Sequence, residues 1–165
     1  VYVGSYSKSI SPNVRVGYML ANPELMQKLL HLKMRSGLTT SQVMERVVYA
    51  AIIDGRWRKH LKRLRQRLAE AHQEVGRHLH RLGFELFTES DEGMYIWTRH
   101  PAIPDSAALL DDALEKGIML GPGQLFMVDA KATGWMRFNV AFSTDPAMWE
   151  LLEKVFVKHV RRGGM

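Results

Sequence analysis

The first eighteen residues restrict the fold most. Two short apolar, β-branched and aromatic runs, Val1–Val3 and Val14–Leu20, flank a polar loop. That pattern predicts a strand, a turn rich in hydroxyls and a second strand. Pro12 fixes φ and Asn13 tolerates left-handed geometry, so the loop can fold back on itself. Lys8 lies just past the first strand, among Ser5, Ser7, Ser9 and Ser11, and Arg15 stands at the mouth of the second. One amine, several hydroxyls and one guanidinium converging at a strand end suit an aldehyde that carries a phosphate. The blander reading of the same residues is an ordinary hairpin with surface serines and solvated charges.

Helix signals follow. Asn22-Pro23 reads as an N-cap with proline at the first helical position, opening a helix to about Ser36 with Leu25, Leu29 and Leu32 as its buried stripe and Gly37 as its end. Thr39-x-x-Gln42 reads as a capping box, so a second helix is expected from about Thr40 to Ile53, broken by Asp54-Gly55. A long third helix then runs to Gly83. Trp57, Leu61, Leu64, Leu68, Ala71, Val75, Leu79 and Leu82 recur along it at helical spacing. Seven basic residues crowd the opposite face between Arg56 and Arg67 and carry most of the net charge of +6. They read as a solvated helix face rather than a DNA-reading helix, because no helix-turn-helix partner or aromatic stacking platform accompanies them.

The texture changes at Gly83. Phe84–Thr88 and Met94–Thr98 read as a hairpin, Asp105 as the cap of a helix from about Ser106 to Lys116, and Ile118–Leu120 as a brief strand before a Gly121-Pro122-Gly123 turn. Trp135–Ala141 alternates as a strand, and Asp145-Pro146 opens a terminal helix to about Arg161. Strands on one side and helices on the other predict a compact α+β lobe.

Composition excludes several functions. With no cysteine there are no disulfides and no thiolate-built metal sites. His78-x-His80 points two ways on a helix and no His-Glu-x-x-His occurs, so no metal site is expected and the histidines read as helix surface. Asp111-Asp112 and Glu150/Glu153 read as solvated helix charges, and Trp57, Tyr95, Trp97 and Trp149 as core. No apolar run approaches the ~20 residues of a membrane span, and no secretory signal is present. Val1 is not a natural start, so the chain is expected to be a fragment.

Ser5-x-Ser7-Lys8, a short stretch with Pro12, then Arg15 and Gly17-Tyr18 resembles the cofactor-lysine segment of fold-type-I pyridoxal-phosphate enzymes, the class I/II aminotransferases. The spacing looks most like the aminotransferase-like domain of MocR-type GntR-family regulators. Gly93-Met94-Tyr95, Pro122-Gly123-x-x-Phe126 and Met136-Arg137-Phe138-Asn139-Val140-Ala141 resemble that family's small C-terminal domain, in the right order. The resemblance implies an α/β and α+β chain forming the C-terminal part of the fold. Residues 1–54 would end the large pyridoxal-phosphate-binding domain, 55–82 would be a long interdomain helix, and 83–165 the small α+β domain. It also implies roles. Lys8 would bind the aldehyde of pyridoxal 5'-phosphate, Ser5 and Ser7 would donate to its phosphate, and Arg15 would pair with that phosphate. Arg137 would grip the α-carboxylate of an amino-acid substrate. The chemistry agrees, since a guanidinium offers a rigid two-pronged donor for oxyanions while a lysine amine can become nucleophilic.

Two functions follow from the resemblance. One is the effector-sensing domain of a cytoplasmic MocR-type regulator that touches DNA only through a domain absent from this chain; the lean towards it comes from Asp54–Arg65. The other is a free-standing transaminase acting on an amino acid or amine. The family's ring-stacking aromatic and its acid paired with the ring nitrogen come earlier in sequence, so this stretch alone is expected to have little or no transaminase activity. Family members are usually homodimers, and a truncated sheet should leave an edge and an apolar face that drive self-association.

Overall fold

The computed structural model describes residues 1–37 and 39–163. The chain divides into two compact units, Val1–Leu64 and Arg65–Met165.

In the first unit, β1 (Tyr2–Ser5) pairs antiparallel with β2 (Gly17–Leu20) in the register Tyr2↔Leu20 to Ser5↔Gly17. Gly4 leaves room for the tip of the exposed Tyr18 ring, which a Cβ there would push aside. The second strand starts three residues later than the apolar run predicts. Pro12–Val14 forms a 3₁₀ turn instead, with the Ser11 hydroxyl accepting from Asn13 N. Proline's fixed φ favours that turn over a strand. Val14 and Val16 are buried with Val48, and Tyr6, Ile10, Met44 and Ile52 pack around them as a small core.

Helix α1 (Pro23–Ser36) begins as predicted, with Asn22 Oδ1 accepting from Leu25 N at 2.8 Å. Its expected buried stripe does not close. Leu25 and Leu29 are half-buried, Leu32 is exposed, and no α1 side chain is fully buried. Helix α2 (Gln42–Ile53) is capped by Ser41, whose hydroxyl accepts from Met44 N, rather than by Thr39. Asp54 ends it and also starts α3 (Arg56–Arg81) by accepting from Arg56 N, while Gly55 takes φ 73° between the two helices.

The second unit holds a four-stranded antiparallel sheet of order β3 (Glu85–Leu86), β4 (Tyr95–Arg99), β6 (Trp135–Asn139), β5 (Gly121–Pro122). The rest of α3, α4 (Ser106–Leu114) and α5 (Pro146–Gly163) supply its helical layer. Asp105 and Asp145 cap α4 and α5 by accepting from Ala107 N and Ala147 N, each at 2.9 Å. Alternation divides the sheet into two faces. Ile96, Thr98, Met136 and Phe138 are buried in a core with Val75, Leu79, Leu109, Trp149 and Leu152. The alternate residues Tyr95, Trp97, Trp135 and Arg137 occupy the other face.

Several local expectations change here. Ile118–Leu120 is not a strand; pairing begins at Gly121-Pro122, where Gly121 faces Arg137 and Pro122 faces Met136. Proline is tolerated because β5 is an edge, and a Cβ on Gly121 would come 2.9 Å from the Arg137 carbonyl. The first hairpin of the unit is shorter than predicted, with β3 only Glu85–Leu86. Four histidines are not helix surface, and one of them, His100, lies beyond the end of β4 against Phe84 and Phe156. His72 is buried, His78 stacks on Trp149 at 4.7 Å, and His159 pairs with Asp112 at 2.8 Å, so Asp112 is not merely a solvated charge either. Among the described residues no helix is long and apolar enough to cross a membrane.

Candidate functional site

The loop between β1 and β2 is closed at its base by the Ser5↔Gly17 pair and by Tyr6 N donating to Val16 O at 3.0 Å. Ser9 N and Ile10 N both donate to the Tyr6 carbonyl, forming a tight turn around Lys8. The one hairpin end therefore carries Ser5, Ser7, Lys8 and Arg15. Lys8 and Arg15 are exposed.

The four serines divide into two pairs. Ser9 Oγ accepts from Trp57 Nε1 at 3.3 Å and Ser11 Oγ caps the 3₁₀ turn, so both brace the loop. Ser5 Oγ accepts from Ser7 N at 3.2 Å, which leaves its own hydroxyl hydrogen to be donated. The Ser7 hydroxyl makes no hydrogen bond among the described residues. The loop thus keeps its donors at Ser5 and Ser7, the positions the resemblance assigns to a phosphate.

Arg15 has a further peculiarity. It sits at φ 48°, ψ 32°, in the left-handed region that disfavours side chains. Buried Val14 and Val16 on either side hold the backbone in that conformation. Its guanidinium has no ion-pair partner among the described residues. Hydroxyl donors, an amine and an unpaired guanidinium make a donor set that fits the phosphate and aldehyde of pyridoxal 5'-phosphate.

The second unit builds a separate feature around Arg137. It projects from β6 on the face away from the core and has no carboxylate partner among the described residues. The Tyr95 ring lies 4.1 Å from its Cζ and the Phe126 ring 4.0 Å from it. Phe126 comes from the 3₁₀ turn Gly123–Phe126, which a buried contact fixes: Gly123 N donates to Ser106 Oγ at 3.0 Å. Two aromatic contacts support the guanidinium by cation–π attraction and leave its N–H groups for a ligand. Arg137, Tyr95 and Phe126 line an open cavity of about 610 Å³ with Gly121, Asn139 and Phe142.

The sequence pattern assigns Tyr95 to the core; it is instead exposed, as a wall beside Arg137. Trp97 stacks on Trp135 on the same face, with ring centroids 6.0 Å apart. Trp57 is half-buried against Tyr6, and Trp149 alone of the four is core. The signal that could have placed Tyr95 and Trp97 is their alternation with Ile96 and Thr98.

Residues 1–155 match the family Aminotransferase class I and II. The chain is 30% identical over 146 residues to 2-aminoadipate transaminase of Thermus thermophilus, covering 86% of this chain and 36% of that protein. It is 31% identical over 144 residues to the HTH-type transcriptional regulator YdcR of Escherichia coli, covering 86% of this chain and 31% of that protein. In three dimensions it resembles LysN, the α-aminoadipate aminotransferase of Thermus thermophilus crystallised with N-(5'-phosphopyridoxyl)-L-leucine. The TM-score is 0.84 at 26% identity, over 98% of this chain and 42% of that one. The chain thus spans about a third of the length of the curated relatives it matches. With the match running from the lysine hairpin into the last helix, the chain belongs to the aminotransferase class I and II family.

Proposed function

We propose that this chain is part of a pyridoxal-phosphate-binding, aminotransferase-like domain that serves as the effector-sensing part of a MocR-type transcriptional regulator. The observation that carries the cofactor assignment is the hairpin loop. It combines an exposed amine, two hydroxyl donors and a guanidinium that is unpaired among the described residues and held in a strained backbone. In this reading Ser5, Ser7 and Arg15 bind the phosphate, and Lys8 Nζ binds the aldehyde. Arg137 orients an amino acid by its α-carboxylate, and Tyr95 and Phe126 exclude water from the faces of the guanidinium. When bound, pyridoxal phosphate supplies an aldehyde and an electron-withdrawing ring. In the same reading the Lys8 amine would be the base that takes the proton from the amino acid's Cα.

The likeness to YdcR supports the regulator reading, and DNA contact then belongs to a segment outside this chain. The likeness to a transaminase supports the second reading, a free-standing enzyme that passes an amino group between an amino acid and a 2-oxo acid. A homodimer and a cytoplasmic location are part of either proposal.

The test uses the intact protein. Wild type should bind pyridoxal phosphate with a visible absorbance band that borohydride reduces onto Lys8, and Lys8→Ala should lose it; no band in wild type overturns the cofactor assignment. Turnover of an amino-acid panel by wild type and not by Lys8→Ala selects the enzyme. Operator binding that responds to an amino acid, without turnover, selects the regulator.

A further inference from the structure

His72 lies in α3 and is 4% exposed. Its Nε2 donates to the Gly93 carbonyl at 3.1 Å; a carbonyl only accepts, so Nε2 carries the hydrogen. Its Nδ1 has no hydrogen-bond partner among the described residues. A buried nitrogen left unpaired costs free energy, so an apolar side chain would fill this helix position more cheaply. What the imidazole supplies is the single bond to Gly93.

That bond is made at a corner. Gly93 takes φ 91°, and a Cβ there would meet nothing within 4 Å, so the backbone conformation and not the space requires glycine. The next carbonyl, Met94 O, accepts from Val140 N at 3.0 Å. Two successive carbonyls are therefore held from different sides, one by α3 and one from just beyond β6. Tyr95 follows immediately, opposite Asn139 in the sheet, with its ring against Arg137.

We propose that His72 is a positioning residue for carboxylate recognition: by holding Gly93 it fixes the corner that presents the Tyr95 ring to Arg137. The proposal rests on the reading of Arg137 as the carboxylate anchor. A guanidinium makes its two-pronged contact only when its plane is set. With Tyr95 and Phe126 both against it, that plane is constrained; with Tyr95 loosened, it can tilt. His72 touches no ligand, and its effect passes through Gly93 and Tyr95.

The test compares two probes on the intact, cofactor-loaded protein: L-leucine, and 3-methylbutylamine, which lacks only the carboxylate. Dissociation constants are read by calorimetry or spectral titration. In wild type, L-leucine should bind more tightly. His72→Leu should weaken L-leucine by about fivefold, the worth of one ordinary hydrogen bond, and leave the amine unchanged. His72→Gln keeps an N–H donor and should restore most of the difference. Gly93→Ala disturbs the same corner without altering the buried ring, so it tests the proposal should His72→Leu not fold; it too should weaken L-leucine selectively. Equal weakening of both probes, or no change in either, overturns the role of His72. Arg137→Gln tests the underlying reading separately: if it leaves the preference for L-leucine intact, Arg137 is not the anchor, whatever His72 does.

Discussion

Replacing Arg15 by glycine should move stability and cofactor affinity in opposite directions. Arg15 occupies left-handed backbone at φ 48°, ψ 32°. For a residue with a Cβ this costs about 1–2 kcal/mol, and glycine removes that cost while adding about 0.5–1 kcal/mol of unfolded-state entropy. The side chain is exposed and unpaired among the described residues, so its loss subtracts little. Arg15→Gly should therefore stabilise the cofactor-free protein by about 0.5 kcal/mol, measured by urea unfolding with linear extrapolation. The same change deletes charge-assisted hydrogen bonds to a phosphate, worth about 1.5–3 kcal/mol, and should weaken pyridoxal phosphate roughly ten- to hundredfold in a spectral titration. Arg15→Lys is the control. It keeps the backbone strain and the charge but loses the fork, so stability should hold while affinity falls. If Arg15→Gly is less stable than wild type, the strained backbone is not being held as described. If it binds the cofactor as wild type does, Arg15 is not the phosphate partner.

Three other outcomes follow from the packing. His100 has its titration pushed down by burial, and its Nδ1 accepts from Ala102 N at 3.0 Å, a bond that protonation removes. The folded ring binds its proton less readily than the unfolded one, so its contribution is complete above the ordinary imidazole value of 6.5 and is lost as pH falls below it. His100→Asn should flatten that acid limb in unfolding measured from pH ~8 to ~5; an unchanged limb refutes the assignment. Gly123→Ala should destabilise by about 2 kcal/mol or more, because a Cβ there runs into the Trp135 carbonyl; thermal unfolding reads it, and a neutral result counts against the Gly123–Phe126 turn as placed. The 165-residue chain by itself should self-associate in light scattering, since Tyr2, Val3, Leu20, Leu30, Leu32 and Val47 are all exposed; a monodisperse monomer contradicts this.

Local chemistry was enough to write down much of this protein. Asn22-Pro23, Asp54-Gly55, Asp105 and Asp145-Pro146 each place a helix boundary where it is found, because a cap acts within three or four residues of itself. The lysine hairpin and its pairing follow from two apolar runs and a proline, and the order of motifs was sufficient to identify the family. Competition between neighbours was harder to read: Ser41 displaced Thr39 as a cap, and Pro12 turned the start of a predicted strand into a 3₁₀ turn. Tertiary structure alone decided the rest. Tyr95 and Phe126 are 31 residues apart in the chain and meet across Arg137 only because the sheet brings β4, β6 and the turn after β5 together. His72 shares the helix face of Leu68, Val75 and Leu79, so its burial was legible; its partner was not, because a backbone carbonyl twenty-one residues away leaves no trace in side-chain pattern. Periodicity reports which face of an element is apolar; what meets the other face is fixed by the packing of whole elements, which no short window of sequence contains.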